Sequence, residues 1–366
     1  MIRVLIVGGY GNFGSFIAKS LAQDEEIELV IAGRSIKKAR QMADSLAARH
    51  IVHAVQVDIH HNFQETLRTI KPNIVIHTSG PFQGQGYDVA LACIAQGCHY
   101  IDLADGRDFV TGISALDSAA KAKNLVIVSG ASSVPCLTAA IVDHFRPQFQ
   151  KLESLDYGIA TAQKTNRGLA TTAAILGYVG RSFLSLRDGR FVKIYGWQGL
   201  HGRKYGGLGR RLLSYCDIPD LSLFPLRYPE LKTIRFYAGI EVPFIHAGLW
   251  ALSWLVRWGM IKDLAKFAPA LLRLSRLFDR FGTDQSGFHM VLSGVGQGGD
   301  RKIIRFELVA RAGDGPNIPC VPSILLAKKL ARGQVNQAGA FPCVDLINLD
   351  EYLAALRPLQ IEWSED

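Results

Sequence analysis

Apolar residues recur in short blocks along the first 130 positions, and each block is followed by a stretch with helical spacing. Ile2–Val7 is rich in Val and Ile and suits a parallel strand covered on both faces. Glu28–Ala32, Val52–Val57, Ile74–His77, His99–Leu103 and Leu125–Val128 repeat the pattern. Between them, Ser15–Leu21, Ser35–Ala48, Asn62–Ile70, Tyr87–Gln96 and Phe109–Lys123 read as helices, with Ser35 placed to cap one and Gly97 to end another. Regular alternation with short loops predicts a doubly wound parallel sheet of the Rossmann type, with ligands at the carboxyl ends of its strands.

The second half changes character. Leu152–Thr161, Arg190–Gly196, Thr233–Tyr237, Phe288–Val295 and Ile303–Ala310 read as strands of one mixed sheet. Leu169–Val179, Val321–Ala331 and Leu349–Leu356 read as helices, and Ile361–Trp363 as a last strand. The expectation is an α/β chain: a Rossmann domain over 1–130, an α+β domain over 131–335 for substrate binding and dimerisation, and a segment 336–366 packing back on the first domain. A length of 366 residues agrees with more than one core.

Gly8-Gly9-Tyr10-Gly11-Asn12-Phe13-Gly14 lies between the first strand and the first helix. Gly8, Gly11 and Gly14 give a tight turn, a backbone without Cβ atoms toward a pyrophosphate, and close helix–strand packing. The amides around Asn12, Phe13 and Gly14 then open a helix N-terminus, which suits phosphates. The second strand ends at Ala32-Gly33-Arg34-Ser35, where an NAD site usually carries an acidic residue. Arg34 instead suits the 2′-phosphate of NADP(H), with Ser35 beside it and Lys37 and Lys38 one turn on. Asp58 is placed either to meet the adenine edge or to cap the following helix. Ser79, Gly80 and Pro81 end the fourth strand, beside the expected ribose and nicotinamide, and also form a turn signal.

These stretches give the chain a family likeness. Val7–Gly14 with Ala32–Arg34, then Thr78–Asp105, then Ser129–Pro135 together resemble the saccharopine dehydrogenase-like oxidoreductases. The resemblance implies hydride transfer between NADP(H) and an imine or carbonyl carbon of a small substrate. Two positions depart from the family's pattern. Ala104-Asp105-Gly106 stands where many relatives have a Gly-Glu pair, and Ser132-Ser133 where many have an acidic residue.

Hydride chemistry usually needs one acid or base. Tyr100, Asp102 and Asp105 fall at the carboxyl edge of the fifth strand, where Asp102 or Asp105 could orient an amine and Tyr100 could give a proton; a turn cap and a packed ring are the plainer readings. Cys136 follows Pro135 at a helix head, either an activated thiol or a buried, inert one. His77 reads as a core histidine, and His60-His61 lacks the spacing of a metal site. Arg167 precedes an apolar helix and is either a clamp for a substrate carboxylate or phosphate or a surface arginine. His201–Arg211 reads as a glycine-rich basic loop.

Charge sharpens this picture in one region. The net charge is +9, yet residues 181–280 hold 17 Lys and Arg against 7 Asp and Glu. Four of the five tryptophans fall there too. Phe244–Trp258 is apolar and aromatic but short for a membrane span, and Ile261–Phe281 is amphipathic and basic. A dimer interface, an internal core and a peripheral membrane contact through 242–281 all fit this composition. No nucleic-acid motif accompanies the charge. The cysteines lack a CxxC pair and suit reduced thiols, and no leader is expected, so a cytoplasmic enzyme is the expectation. A largely non-catalytic NADP-binding protein at a membrane or partner surface is the alternative.

Overall fold

The computed structural model describes residues 1–165 and 168–366. The chain divides into two units: Met1–Ala140 with Asn317–Ala355, and Ile141–Pro316 with Leu356–Asp366. The strand-and-helix pattern of the sequence placed the boundaries after 130 and 335.

In the first unit β1 (Ile2–Val7), β2 (Ile27–Gly33), β3 (His53–Gln56), β4 (Ile74–His77), β5 (His99–Asp102) and β6 (Val126–Ser129) form a parallel sheet. A seventh strand, Gly339–Pro342, adds in parallel beside β6. The order is Gly339–Pro342, β6, β5, β4, β1, β2, β3, a doubly wound sheet with its reversal between β1 and β4. Val4–Val7, at the sheet's centre, are essentially unexposed, so the apolar block of β1 is covered on both faces. Helix Val321–Ala331 packs against helix Asn12–Leu21, and the Cys320 thiol points at the Phe13 carbonyl oxygen, 3.7 Å away.

The single helix expected over Phe109–Lys123 is broken into Arg107–Gly112 and Asp117–Ala122, with a 3-10 turn between. Gly112 is a poor helix former, and the Tyr87 hydroxyl donates to the Phe109 carbonyl at 2.7 Å, competing with the next helical hydrogen bond.

The second unit is built on β7 (Phe149–Thr161), β8 (Ser182–Arg187), β9 (Arg190–Tyr195), β10 (His201–Tyr205), β11 (Gly209–Tyr215), β12 (Thr233–Ile240), β13 (Ser286–Gly296) and β14 (Arg301–Ala310). Its mixed sheet runs β10, β11, β12, β7, β13, β14 and the C-terminal strand Ile361–Glu365. Two expectations fail here. Arg190–Tyr195 pairs with β8 as a separate hairpin and not with the main sheet. His201–Arg211 is no loop: it forms most of the β10–β11 hairpin, because the glycines cluster at its tip and the flanking residues alternate. Helices Pro243–Arg257 and Ala268–Arg276 bury Leu249, Val256, Ala268 and Leu272 and pack in a cluster with Leu176, Val179 and Trp197. Among the described residues no helix is long and apolar enough to cross a membrane.

Candidate functional site

The glycine turn is tight for a steric reason. A Cβ at Gly14 would lie 2.3 Å from the Gly8 carbonyl oxygen, and one at Gly8 would lie 2.6 Å from Thr78 Oγ1 and 2.7 Å from Ser79 Oγ. Gly8 also has φ +82°, which L side chains avoid. The Gly8 and Gly9 amides donate to the Ala32 carbonyl at 2.8 and 3.1 Å, so the end of β2 anchors the turn. Thr78 anchors it from the other side, both its amide and its hydroxyl donating to the Val7 carbonyl at 2.9 Å. Helix Asn12–Leu21 starts at Gly11 with no side chain capping it and no acidic residue in its first turn. Its dipole is therefore left facing outward, the arrangement that attracts phosphate.

Tyr10 is a part of this site that the sequence motif does not reveal. Its ring lies across Gly33, where a Cβ would be 2.5 Å from the ring edge, and its hydroxyl accepts the Ser35 amide at 3.0 Å. The aromatic side chain thereby sets the turn that presents Arg34, which is exposed together with Lys37 and Lys38. Ser35 caps the next helix by accepting the Lys38 amide at 3.4 Å.

Asp58 caps no helix: the following helix begins at Phe63 with Asn62 before it. Its carboxylate instead accepts the His60 amide at 3.1 Å and lies 3.3 Å from His61. The His60 amide foremost, and His61 after it, hold its pKa below the ordinary value. The Ser79-Gly80-Pro81 turn is stapled by Gln85, whose amide nitrogen donates to the Ser79 and Pro81 carbonyls at 3.0 and 2.7 Å.

Beneath that turn, register sets His77 at the end of β4 opposite Asp102 at the end of β5. The Tyr100 hydroxyl lies 3.1 Å from His77 Nδ1. Asp102 Oδ1 accepts from the Ala104 amide at 2.9 Å, the Gly130 amide at 2.9 Å and the Ser129 hydroxyl at 3.0 Å. All three side chains are buried. Burial pushes Asp102 up to about 6, against the pull of its hydrogen bonds, and pushes His77 down to about 4. At neutral pH the imidazole is thus uncharged and the carboxylate ionised. His77, read from sequence as a core residue, belongs to this cluster, and only the pairing of β4 with β5 reveals it.

Asp105 differs from Asp102 in being exposed, and it accepts a hydrogen bond from Gln83 at 3.1 Å. Cys136 is buried in the turn Ser133–Leu137. Arg167 lies outside the described residues. The first unit therefore gathers the glycine turn, Arg34, Ser79–Pro81, Tyr100, Asp102 and Asp105 along one edge of its sheet, while Asp58 is engaged with its own neighbours.

Residues 4–128 match the family described as the saccharopine dehydrogenase NADP binding domain. The chain is similar in fold to apo saccharopine dehydrogenase (L-Glu forming) from Saccharomyces cerevisiae, with a TM-score of 0.70 at 12% identity over 100% of both chains. An amine dehydrogenase from Mycobacterium smegmatis gives a TM-score of 0.47 at 10% identity over 96% of this chain and 95% of that one. No curated protein matches the chain. The first unit thus carries an NADP-binding domain of the saccharopine dehydrogenase type.

Proposed function

We propose that this chain, whose residues 4–128 carry the saccharopine dehydrogenase NADP binding domain, is an NADP(H)-dependent oxidoreductase acting on an imine or carbonyl carbon of a small substrate. The observation that carries this reading is the uncapped helix start at Gly11 beside a turn that Gly8 and Gly14 alone can close, with Arg34 exposed at the end of β2. The first-turn amides at Asn12, Phe13 and Gly14 hold the pyrophosphate, and Arg34 with Ser35 holds the adenosine 2′-phosphate. NADPH, when bound, supplies the hydride. Asp105 is the exposed group in reach of solvent for holding or passing a proton, while buried Tyr100 and Asp102 position the strand ends beneath it.

Calorimetric titration tests the reading. Wild-type protein is expected to bind NADPH more tightly than NADH. Arg34→Ala should weaken NADPH about 10- to 100-fold, the loss of one charge-assisted, bidentate contact, and leave NADH within about threefold. Absence of saturable binding by either coenzyme, or tighter NADH than NADPH binding, overturns it.

A second observation concerns where the protein works. Phe244, Trp258, Met260, Phe267, Leu274, Leu277 and Phe281 are each half exposed or more, among Lys262, Lys266, Arg273, Arg276 and Arg280. The two acidic side chains of this stretch accept hydrogen bonds, Asp263 from the Ala265 amide and Asp279 from the Gln163 side chain across the unit. Exposed apolar side chains interspersed with cations favour an anionic lipid surface as the partner of this segment. A homodimer formed through the same patch is the competing occupant.

A further inference from the structure

The second unit's sheet carries chemistry of its own. Register sets Tyr215, Tyr237, Gly158, His289 and Glu307 in one row across β11, β12, β7, β13 and β14, so they face the same side. Asp156 and Arg235 are paired two residues along the same face. Tyr215 and Tyr237 stack with centroids 5.5 Å apart at 27°. Arg187, at the end of β8, places its guanidinium 4.6 Å from the Tyr215 ring centre. Arg203 reaches over Tyr205, whose hydroxyl lies 2.8 Å from His289 Nδ1. A Cβ at Gly158 would lie 2.6 Å from the Tyr237 carbonyl oxygen and 3.2 Å from the His289 ring, so only glycine fits this row.

Charge on this face does not balance. Arg187, Arg203 and Arg235 each have a buried Nε with no hydrogen-bond partner, Arg187 a buried Nη2 as well, and the buried Nε2 of His289 is in the same position. The carboxylate among them, Asp156, is 3.8 Å from Arg235 and 3.9 Å from His289 and accepts the Tyr237 hydroxyl at 3.3 Å. Glu307 accepts the Gly206 amide at 2.6 Å and keeps its charge. Two carboxylates face three guanidinium groups whose buried Nε atoms have no acceptor, so the face keeps an excess of positive charge and of donors, and planar guanidinium forks match oxyanions in geometry and charge.

We propose that this face binds an oxyanion of charge −2 or more, a phosphate or a multiple carboxylate, gripped by Arg187, Arg203 and Arg235 above the tyrosine pair. The site lies wholly within the second unit and does not depend on the coenzyme reading.

The test titrates the full chain by calorimetry with inorganic pyrophosphate and, separately, citrate, with NADPH in excess to keep pyrophosphate from the glycine turn. Saturable binding of one or both is expected, weakened at least tenfold in Arg187→Gln and in Arg203→Gln. Arg273→Gln, on the exposed helix, should bind like wild type. Pyrophosphate alone binding assigns a phosphate, and citrate alone a multiple carboxylate. A measurement on unaltered protein stands beside the variants: the bound anion should protect the peptides holding Arg187, Arg203 and Arg235 from phenylglyoxal. No saturation by either probe, unchanged affinity in folded variants, or modification unaffected by the anion overturns the proposal. So does a variant that changes oligomeric mass by light scattering while leaving anion affinity intact.

Discussion

Replacing Asp102 by Asn removes the titrating charge, and the amide nitrogen it puts at the buried Oδ2 position adds a cost that does not vary with pH, so the pH dependence of the difference isolates what burial does to that carboxyl. Asn keeps an oxygen where Oδ1 accepts the Ala104 and Gly130 amides and the Ser129 hydroxyl. The folded state raises Asp102 from the ordinary 3.8 to about 6. Folded protein therefore holds this proton more tightly than unfolded protein, and the group's contribution to stability falls as pH rises from about 4 to about 6, then levels off. The full gap corresponds to about 3 kcal/mol of penalty at pH 8, and about half of that is already present at pH 5. Wild type should thus lose about 1–2 kcal/mol relative to Asp102→Asn between pH 5 and pH 8. His77, driven down to about 4, contributes with the opposite sign over pH 4 to 6.5, but equally in both proteins, so the difference between them removes it. All five tryptophans belong to the second unit, so their fluorescence is blind to this site. Hydrogen exchange of peptides covering β5 and β6, corrected for intrinsic rates, reads the right unit. A wild-type-minus-variant difference that stays flat between pH 5 and pH 8 would refute the reasoning.

Two further outcomes follow from other parts of the chain. Glu241, nearly inaccessible, accepts the Gln163 and Thr283 amides at 2.8 Å, the Thr283 hydroxyl at 2.7 Å and the Arg211 guanidinium at 2.9 Å. Glu241→Ala strands these donors and should cost about 3–5 kcal/mol in urea unfolding followed by tryptophan fluorescence; a loss below about 1 kcal/mol would mean the network is not coupled. For the exposed patch, the protein should sediment with phosphatidylglycerol vesicles and much less with phosphatidylcholine, and Leu277→Glu or Trp258→Glu should abolish it. Failure to sediment at low salt, with a doubled mass in light scattering that Leu277→Glu halves, would hand the patch to a second copy of the chain.

What the sequence determined by itself was the first unit's strand-and-helix alternation and the glycine turn of its NADP-binding domain. Both rest on local requirements: apolar blocks the length of a strand, and a turn so crowded that a methyl group at Gly14 would strike the Gly8 carbonyl. Such constraints act between residues a few positions apart and are written directly in residue type. Tertiary structure decided what distance in the chain conceals. Tyr10 reaches over Gly33 to set Arg34, His77 joins Tyr100 and Asp102 across two strands, and Gly339–Pro342 completes the first sheet from more than 200 residues away. The arginine and tyrosine face of the second sheet likewise exists only through the register of β7 with β12 and β13. Register is fixed by which faces bury together, a property of the packed sheet that no single strand contains.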